Sequence, residues 1–224
     1  MTHYSHADAE RYVAHHNKNW RTRLTTWRER NTLRTALSAL GAIESVLDVP
    51  CGTGRFWPVL LATGARRIFA ADNSEGMLTV SGTSEPELST RVTLLNTSIF
   101  AIDLPDEIVD CSVSLRFFHH LAVAADRLQA LRELHRVSRK FVLVSLWVDG
   151  NLQARRRMRK NADTLPTPGF GPRRCIARSV IETEFTQAGF AVHGWRDVAP
   201  GLSMWRLYTL GKRAAGPTAP EKQS

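Results

Sequence analysis

Two acids, Asp48 and Asp72, stand at the ends of short apolar runs, Ser45 to Val49 and Arg67 to Ala71. Between the two runs lies the turn Pro50-Cys51-Gly52-Thr53-Gly54. Glycines at 52 and 54 let the chain bend sharply and let a ligand approach the backbone. An acid that ends the second run, eighteen residues after Gly54, can accept hydrogen bonds from both hydroxyls of a ribose. A dinucleotide turn needs a third glycine shortly beyond Gly54, where Trp57 and Pro58 stand instead. Asp48 is also unsuited to a pyrophosphate and suited to a cation. The pattern therefore disfavours a dehydrogenase and fits a nucleoside that carries positive charge.

A second group of reactive side chains, Arg116, His119 and His120, follows the run Val109 to Ser114. An imidazole titrates near neutrality and can take a proton from a hydroxyl or an activated carbon. Arg116 can orient an anion or pair with a nearby acid, and either histidine can instead pack against the next helix. Cys51 sits in the turn and reads as a small packed residue, not as a nucleophile. Ser114-Leu115-Arg116-Phe117 lacks the Asn- or Asp-Pro-Pro-aromatic element of enzymes that methylate adenine amino groups. His15-His16 has no partner at metal-ligand spacing.

Strands and helices that alternate along the chain must hold these groups. Leu24, Trp27, Leu33, Leu37 and Leu40 share a helical face before Gly41, so the first forty residues read as helix, with Trp20 and Trp27 lid-lining or core. Strands follow at 45–49, 67–71, 91–95, 109–114 and 141–148, with helices to about Thr63, from Glu75 to Val80 and from Ala124 to Val137. That rhythm implies a mostly parallel sheet, with the continuously apolar Phe141 to Val148 at its centre. Asn151 to Pro172 contains Pro166, Pro168, Gly169, Gly171 and Pro172 and reads in part as a loop or irregular cap. Ser179 and Glu182 fit a capping box for a helix that ends at Gly189. Two strands, 190–198 and 204–210, form a closing hairpin around Pro200-Gly201.

The net charge is +9 with a pI near 10.2, which favours acidic partners. Between Asn151 and Arg178 eight basic residues face one acid, Asp163, so the charge is concentrated there. Such a run is either a solvated face or a surface for phosphate, carboxylate, nucleic acid or anionic membrane. Three cysteines at wide spacing, Cys51, Cys111 and Cys175, support neither a disulfide framework nor a zinc site. No apolar run approaches the length of a membrane span, and Met1 to Glu10 lacks the apolar stretch of a secretory signal. A cytoplasmic location is expected, with peripheral contact to the inner membrane.

Three segments together resemble the class I methyltransferases, in particular their type-11 group. They are Leu47 to Gly54, Ala71-Asp72-Asn73-Ser74-Glu75-Gly76-Met77-Leu78, and Val109-Asp110 through Phe118-His119-His120-Leu121. The resemblance runs from about 46 to 147. It implies a Rossmann-like α/β fold with a seven-stranded, mostly parallel sheet, helices on both faces, a C-terminal antiparallel hairpin and an N-terminal helical lid. It implies one domain over 1–212 (lid 1–41, cofactor core 42–150, basic acceptor cap 151–178, C-terminal part 179–212) and a disordered tail over 213–224. It implies S-adenosylmethionine as cofactor, whose ammonium and sulfonium match the cationic ligand inferred above. Asp48, Pro50, Cys51, Gly52 and Gly54 would hold its methionine part, Asp72 its ribose, Asn73, Met77, Ser98 and Ile99 would lie around its adenosine, and Ser114 would also bind the cofactor. Ser98 replaces the family's usual acid and Pro50 its usual glycine. The acceptor is expected to be a small or lipid-linked anion, such as a phosphorylated envelope glycolipid, methylated at oxygen with Arg116, His119 and His120 alongside. RNA methylation and a nucleotide-binding regulatory protein are the alternatives. Against RNA, the basic segment holds a single aromatic residue, Phe170.

Overall fold

The computed structural model describes residues 20–84, 86–161 and 173–213. His15-His16, the Pro- and Gly-rich stretch from Pro166 to Pro172, and the tail beyond Arg213 lie outside them. Seven strands form one sheet: β1 (Ser45–Asp48), β2 (Arg67–Asp72), β3 (Thr93–Asn96), β4 (Val109–Ser114), β5 (Ser138–Trp147), β6 (Phe190–Asp197) and β7 (Trp205–Lys212). Their order is β3-β2-β1-β4-β5-β7-β6. The first five pair in parallel, and β7 runs antiparallel to both β5 and β6. β1 and β4 are buried at every position, as strands covered on both faces must be.

The side-chain period of two sends alternate residues to two separate cores. Leu47, Val142, Val144 and Leu146 meet α5 (Ala124–Val137) and α7 (Arg178–Gln187) through Leu131, Leu134, Ile181 and Phe185. Val46, Val113 and Leu143 face the other way, against α1 (Trp20–Ser38) and α2 (Trp57–Leu61), through Leu33, Leu37, Trp57 and Leu60. α3 (Glu75–Ser84) and α4 (Pro86–Ser89) bridge β2 and β3. Only the second half of α1 is core. Trp20 and Trp27 are exposed, so neither is a core tryptophan.

One local expectation needs correction. Ser179 does not cap α7: Ala177 takes that position without a side-chain bond, and the helix starts at Arg178. The first amide is met from another loop, because Arg178 N and Nε both donate to Asp149 Oδ1 at 3.1 Å. Glu182 is engaged elsewhere and accepts from the Tyr208 hydroxyl at 2.9 Å. Part of the basic segment is helical, as α6 spans Leu152–Asn161. Asn151 caps it, with Oδ1 accepting from Ala154 N at 2.8 Å.

Arg127 on α5 and Glu184 on α7 form a buried bidentate pair at 2.7 and 2.6 Å. Arg127 also donates to the carbonyls of Leu121 and Ala122, fixing the turn that enters α5. Removing one member leaves the other charge buried and uncompensated. Glu184→Ala should therefore cost about 3 kcal/mol of stability, read as a lower urea midpoint. A midpoint within error of the parent would contradict this account.

Candidate active site

The turn after β1 is held from both sides. Val49 N donates to Val113 O at 3.0 Å and Cys51 N to Ala71 O at 2.8 Å, so strands β4 and β2 carry it between them. Gly52 and Gly54 both adopt left-handed backbone, with φ of +54° and +74°. A Cβ on Gly54 would stand 2.8 Å from the fully buried Trp57 ring. One on Gly52 would meet open space. Gly54 is thus demanded by packing as well as by φ, while Gly52 leaves the rim of the cavity clear.

Asp72 ties this turn to the next strand. Its Oδ2 accepts from Gly52 N and its Oδ1 from Ser74 N, each at 3.0 Å. Burial raises its pKa, and the amides of Ser74, Gly52 and Asn73 oppose that rise. Each carboxylate oxygen retains acceptor capacity, and Asp72 lines the cavity. Asp48 lies beneath the turn, 1% exposed, and does not itself line the cavity. Its pKa is pushed up to about 8, first by burial and then by the charge of Asp72. The nearby Trp57 indole opposes the shift, yet neither Asp48 Oδ2 nor Trp57 Nε1 reaches hydrogen-bonding geometry with any group among the described residues. A buried acid with an orphaned oxygen is what a cationic ligand at this turn would compensate.

The cavity extends from Pro50, Cys51 and Gly52 past Asn73 and Met77 to Ser98 and Ile99. Ser114, also expected to bind the cofactor, stays out of the cavity lining: it is fully buried, and its hydroxyl has no partner among the described residues. Ser98 Oγ accepts from Phe100 N at 3.2 Å, so part of its capacity is spent on its own turn. Phe100 and Phe117, with ring centroids 6.2 Å apart, give this end an aromatic wall that sequence patterning missed. The Cys51 thiol is pushed well up by burial and by both aspartates, which leaves it a poor nucleophile.

Past Leu115 the wall becomes basic. Arg116 has φ +60°, a costly conformation for a residue with a side chain, and its amide donates to Ser145 Oγ at 2.9 Å. Its guanidinium pairs with Glu29 of α1 at 3.1 Å and lies 5.0 Å over the Trp205 ring. Arg55 reaches the same Glu29 at 3.0 Å and also donates to the Thr26 hydroxyl. Arg116 therefore both lines the cavity and pairs with an acid. Glu29, flanked by Arg28 and Arg30, looks in sequence like any solvent-facing charge, and only the packing shows that it is 7% exposed.

His119 and His120 end a single 3₁₀ turn, Phe118–His120, and both face the cavity. His119 is 2% exposed, stacked on Trp147 at 4.7 Å and edge-on to Trp205 at 4.8 Å. Its carbonyl accepts from Arg174 N at 2.7 Å, and its Nδ1 has no partner among the described residues. Burial, reinforced by His120, Arg116, Arg173 and Arg157, holds its pKa well below the ordinary histidine value. At neutral pH the ring is uncharged and can accept a proton. Arg173, which no motif singled out, also lines this end.

Comparison with known proteins agrees with this geometry. Residues 47–143 match the model of a methyltransferase domain. No curated protein matches the chain. Among solved structures, it resembles magnesium protoporphyrin IX methyltransferase from Synechocystis PCC 6803 with bound S-adenosylhomocysteine, at a TM-score of 0.70 and 13% identity over 92% of this chain and 94% of that one. An S-adenosylmethionine-dependent methyltransferase from Clostridium acetobutylicum gives 0.70 and 10% identity over 92% and 99%. A chain from the complex between the Haloferax volcanii Trm112 methyltransferase activator and its partner gives 0.62 and 16% over 81% and 88%. Residues 47–143 thus match a methyltransferase domain, and the chain as a whole shares the Rossmann-like sheet of these S-adenosylmethionine-dependent methyltransferases.

Proposed function

We propose that this enzyme methylates an anionic acceptor, small or lipid-linked, at an oxygen atom, with His119 as the general base. One observation carries the reading: an uncharged, buried imidazole with an unpartnered nitrogen faces the cavity among the guanidiniums of Arg55, Arg116 and Arg173. S-adenosylmethionine supplies, when bound, a methyl group activated by a sulfonium. A neutral amine could attack such a carbon without first losing a proton, so a base held dry and uncharged is of most use to a hydroxyl. The arginines attract an anionic acceptor and stabilise an oxyanion beside the ring. Arg116, stacked on Trp205 and held by Glu29, keeps a fixed orientation toward that space. A lipid-linked acceptor would be met at an anionic surface, which a net charge of +9 favours.

At the other end, Gly52 and Gly54 shape the turn that receives the methionine part, Asp72 accepts from the ribose, and Asp48 compensates positive charge from below. Asn73, Met77, Ser98 and Ile99 surround the adenosine.

Three outcomes follow. Incubated with labelled S-adenosylmethionine and fractionated extract, the enzyme should label anionic lipid or small molecules, and label confined to RNA would overturn the acceptor reading. His119→Gln should lower kcat by about a hundredfold or more and leave affinity for S-adenosylhomocysteine unchanged. With cofactor saturating, the parent kcat should stay level as pH falls through 6.5, because the ring is still uncharged there. A kcat that halves near pH 6.5 would exclude His119.

Asp48 links pH to both stability and affinity. Its folded pKa lies above the unfolded value of 3.8, so its contribution to stability is present below about pH 4 and is lost as pH rises through about 8. A cationic ligand must expel that proton, so affinity for S-adenosylmethionine should weaken as pH falls below 8. Asp48→Asn should remove this dependence, bind the cofactor more weakly, and melt several degrees higher than the parent at pH 8 without ligand. Unchanged cofactor affinity in Asp48→Asn would show that the acid has no part in binding.

A further inference from the structure

Three elements that meet at the basic end of the cavity turn apolar side chains outward. The second half of α1 packs down toward the start of β1, so its first half stands at the end of the sheet where the cavity lies. Thr26 and Glu29 of that half hold Arg55 and Arg116 in the cavity wall. Leu24 and Trp27, three residues apart on the helix, lie outside the Leu33 and Leu37 face, and Trp27 is 62% exposed. The turn between β6 and β7 reaches the same rim, because Val198 shares a small cavity with Glu29 and Thr32. Leu202 N and Ser203 N close that turn by donating to Ala199 O, and Leu202 is left 70% exposed. α6 adjoins the turn, since Met204 N donates to Gln153 Oε1 at 3.3 Å, and its first residue, Leu152, is exposed as well.

Single exposed apolar residues are ordinary on a protein surface. Four of them on three elements around one cavity end form a common rim, and its charge says what covers it. α1 carries five arginines and a single acid, Glu29, which is turned inward to Arg55 and Arg116. Arg23 and Arg28 are exposed beside Leu24 and Trp27. α6 has no acid, and Arg155 and Arg156 are exposed one turn beyond Leu152. Asp149 and Asp197, at the edges of the rim, are paired with Arg178 and Arg206. Tryptophan and leucine set among arginines match the boundary between lipid headgroups and acyl chains. The apolar tips enter the acyl region while the guanidiniums stay among the phosphates. A nucleic acid would stack a base on Trp27 but has no comparable use for Leu24, Leu152 and Leu202.

We propose that Leu24, Trp27, Leu152 and Leu202 seat this chain on an anionic lipid surface, with the basic end of the cavity turned toward the headgroups. The docking needs only these side chains and the arginines around them, so it does not depend on the acceptor reading above. It goes beyond that reading by giving a lipid-linked acceptor its route. Such a molecule enters beside α1 and α6 and meets His119 without leaving the membrane.

The test is co-sedimentation of the full chain with vesicles of phosphatidylcholine, alone or mixed equally with phosphatidylglycerol. The parent should bind the mixed vesicles and leave the neutral ones in place. Trp27→Ser and Leu202→Ser should each weaken binding to the mixed vesicles about tenfold, and Arg28→Gln about fivefold. All three side chains lie at the surface, so each variant should melt at the parent's temperature, which shows that it folds. A parent that binds neither kind of vesicle, or both equally, would overturn the proposal. So would mixed-vesicle binding that is equal in the parent, Trp27→Ser and Leu202→Ser, since charge alone would then account for it. Retention on a single-stranded RNA homopolymer but not on mixed vesicles would assign this face to nucleic acid and overturn it too. If labelled methyl groups reach only soluble small molecules while the vesicle pattern holds, the lipid-linked acceptor falls and the docking stands.

Discussion

Two carboxylates at the tips of neighbouring strands repel one another inside a protein, and this molecule keeps both. Asp72 is tolerable because the amides of Gly52 and Ser74 each donate to one of its oxygens. Asp48 has no such support and retains its proton toward pH 8 instead. The turn between them must therefore present its amides inward to Asp72, which fixes the left-handed glycines, and must leave room above for a ligand that brings positive charge. The sheet order follows the same demand: β1 lies between β2 and β4, so the turn that leaves it can be gripped by Ala71 on one side and Val113 on the other.

The half of the cavity built on β1 and β2 was legible in the sequence because its constraints are local. A glycine pair after a buried strand, and an acid at the end of the next, are short-range patterns with few physical solutions. β4 and α5 fall where the apolar pattern puts them, and the C-terminal hairpin is antiparallel as read. Where sequence reasoning missed, a partner distant in the chain had intervened. Asp149 took over the capping of α7 from Ser179.

The basic half was legible as a list of residue types but not as a geometry. Arg116, His119 and His120 could be named from their place after β4. That His119 is sealed by two tryptophans, or that Glu29 threads between two arginines, depends on β5, β7 and α1 meeting at one corner. Nothing near those residues in sequence announces such a meeting. The result is a cavity with unlike ends, one resting on two buried carboxylates and the other lined by Arg55, Arg116 and Arg173.

The part of the chain matched by the methyltransferase model ends at residue 143, inside β5, and begins after α1. Physically that span is not a free-standing unit. Without α1 the guanidiniums of Arg55 and Arg116 lose the carboxylate between them, and without β7 the strand β5 exposes its outer edge from Phe141 to Trp147. A minimal fragment cut at those limits would inherit a raw sheet edge beside unneutralised arginines, which invites self-association. Shortening this chain for engineering therefore has to retain both flanks.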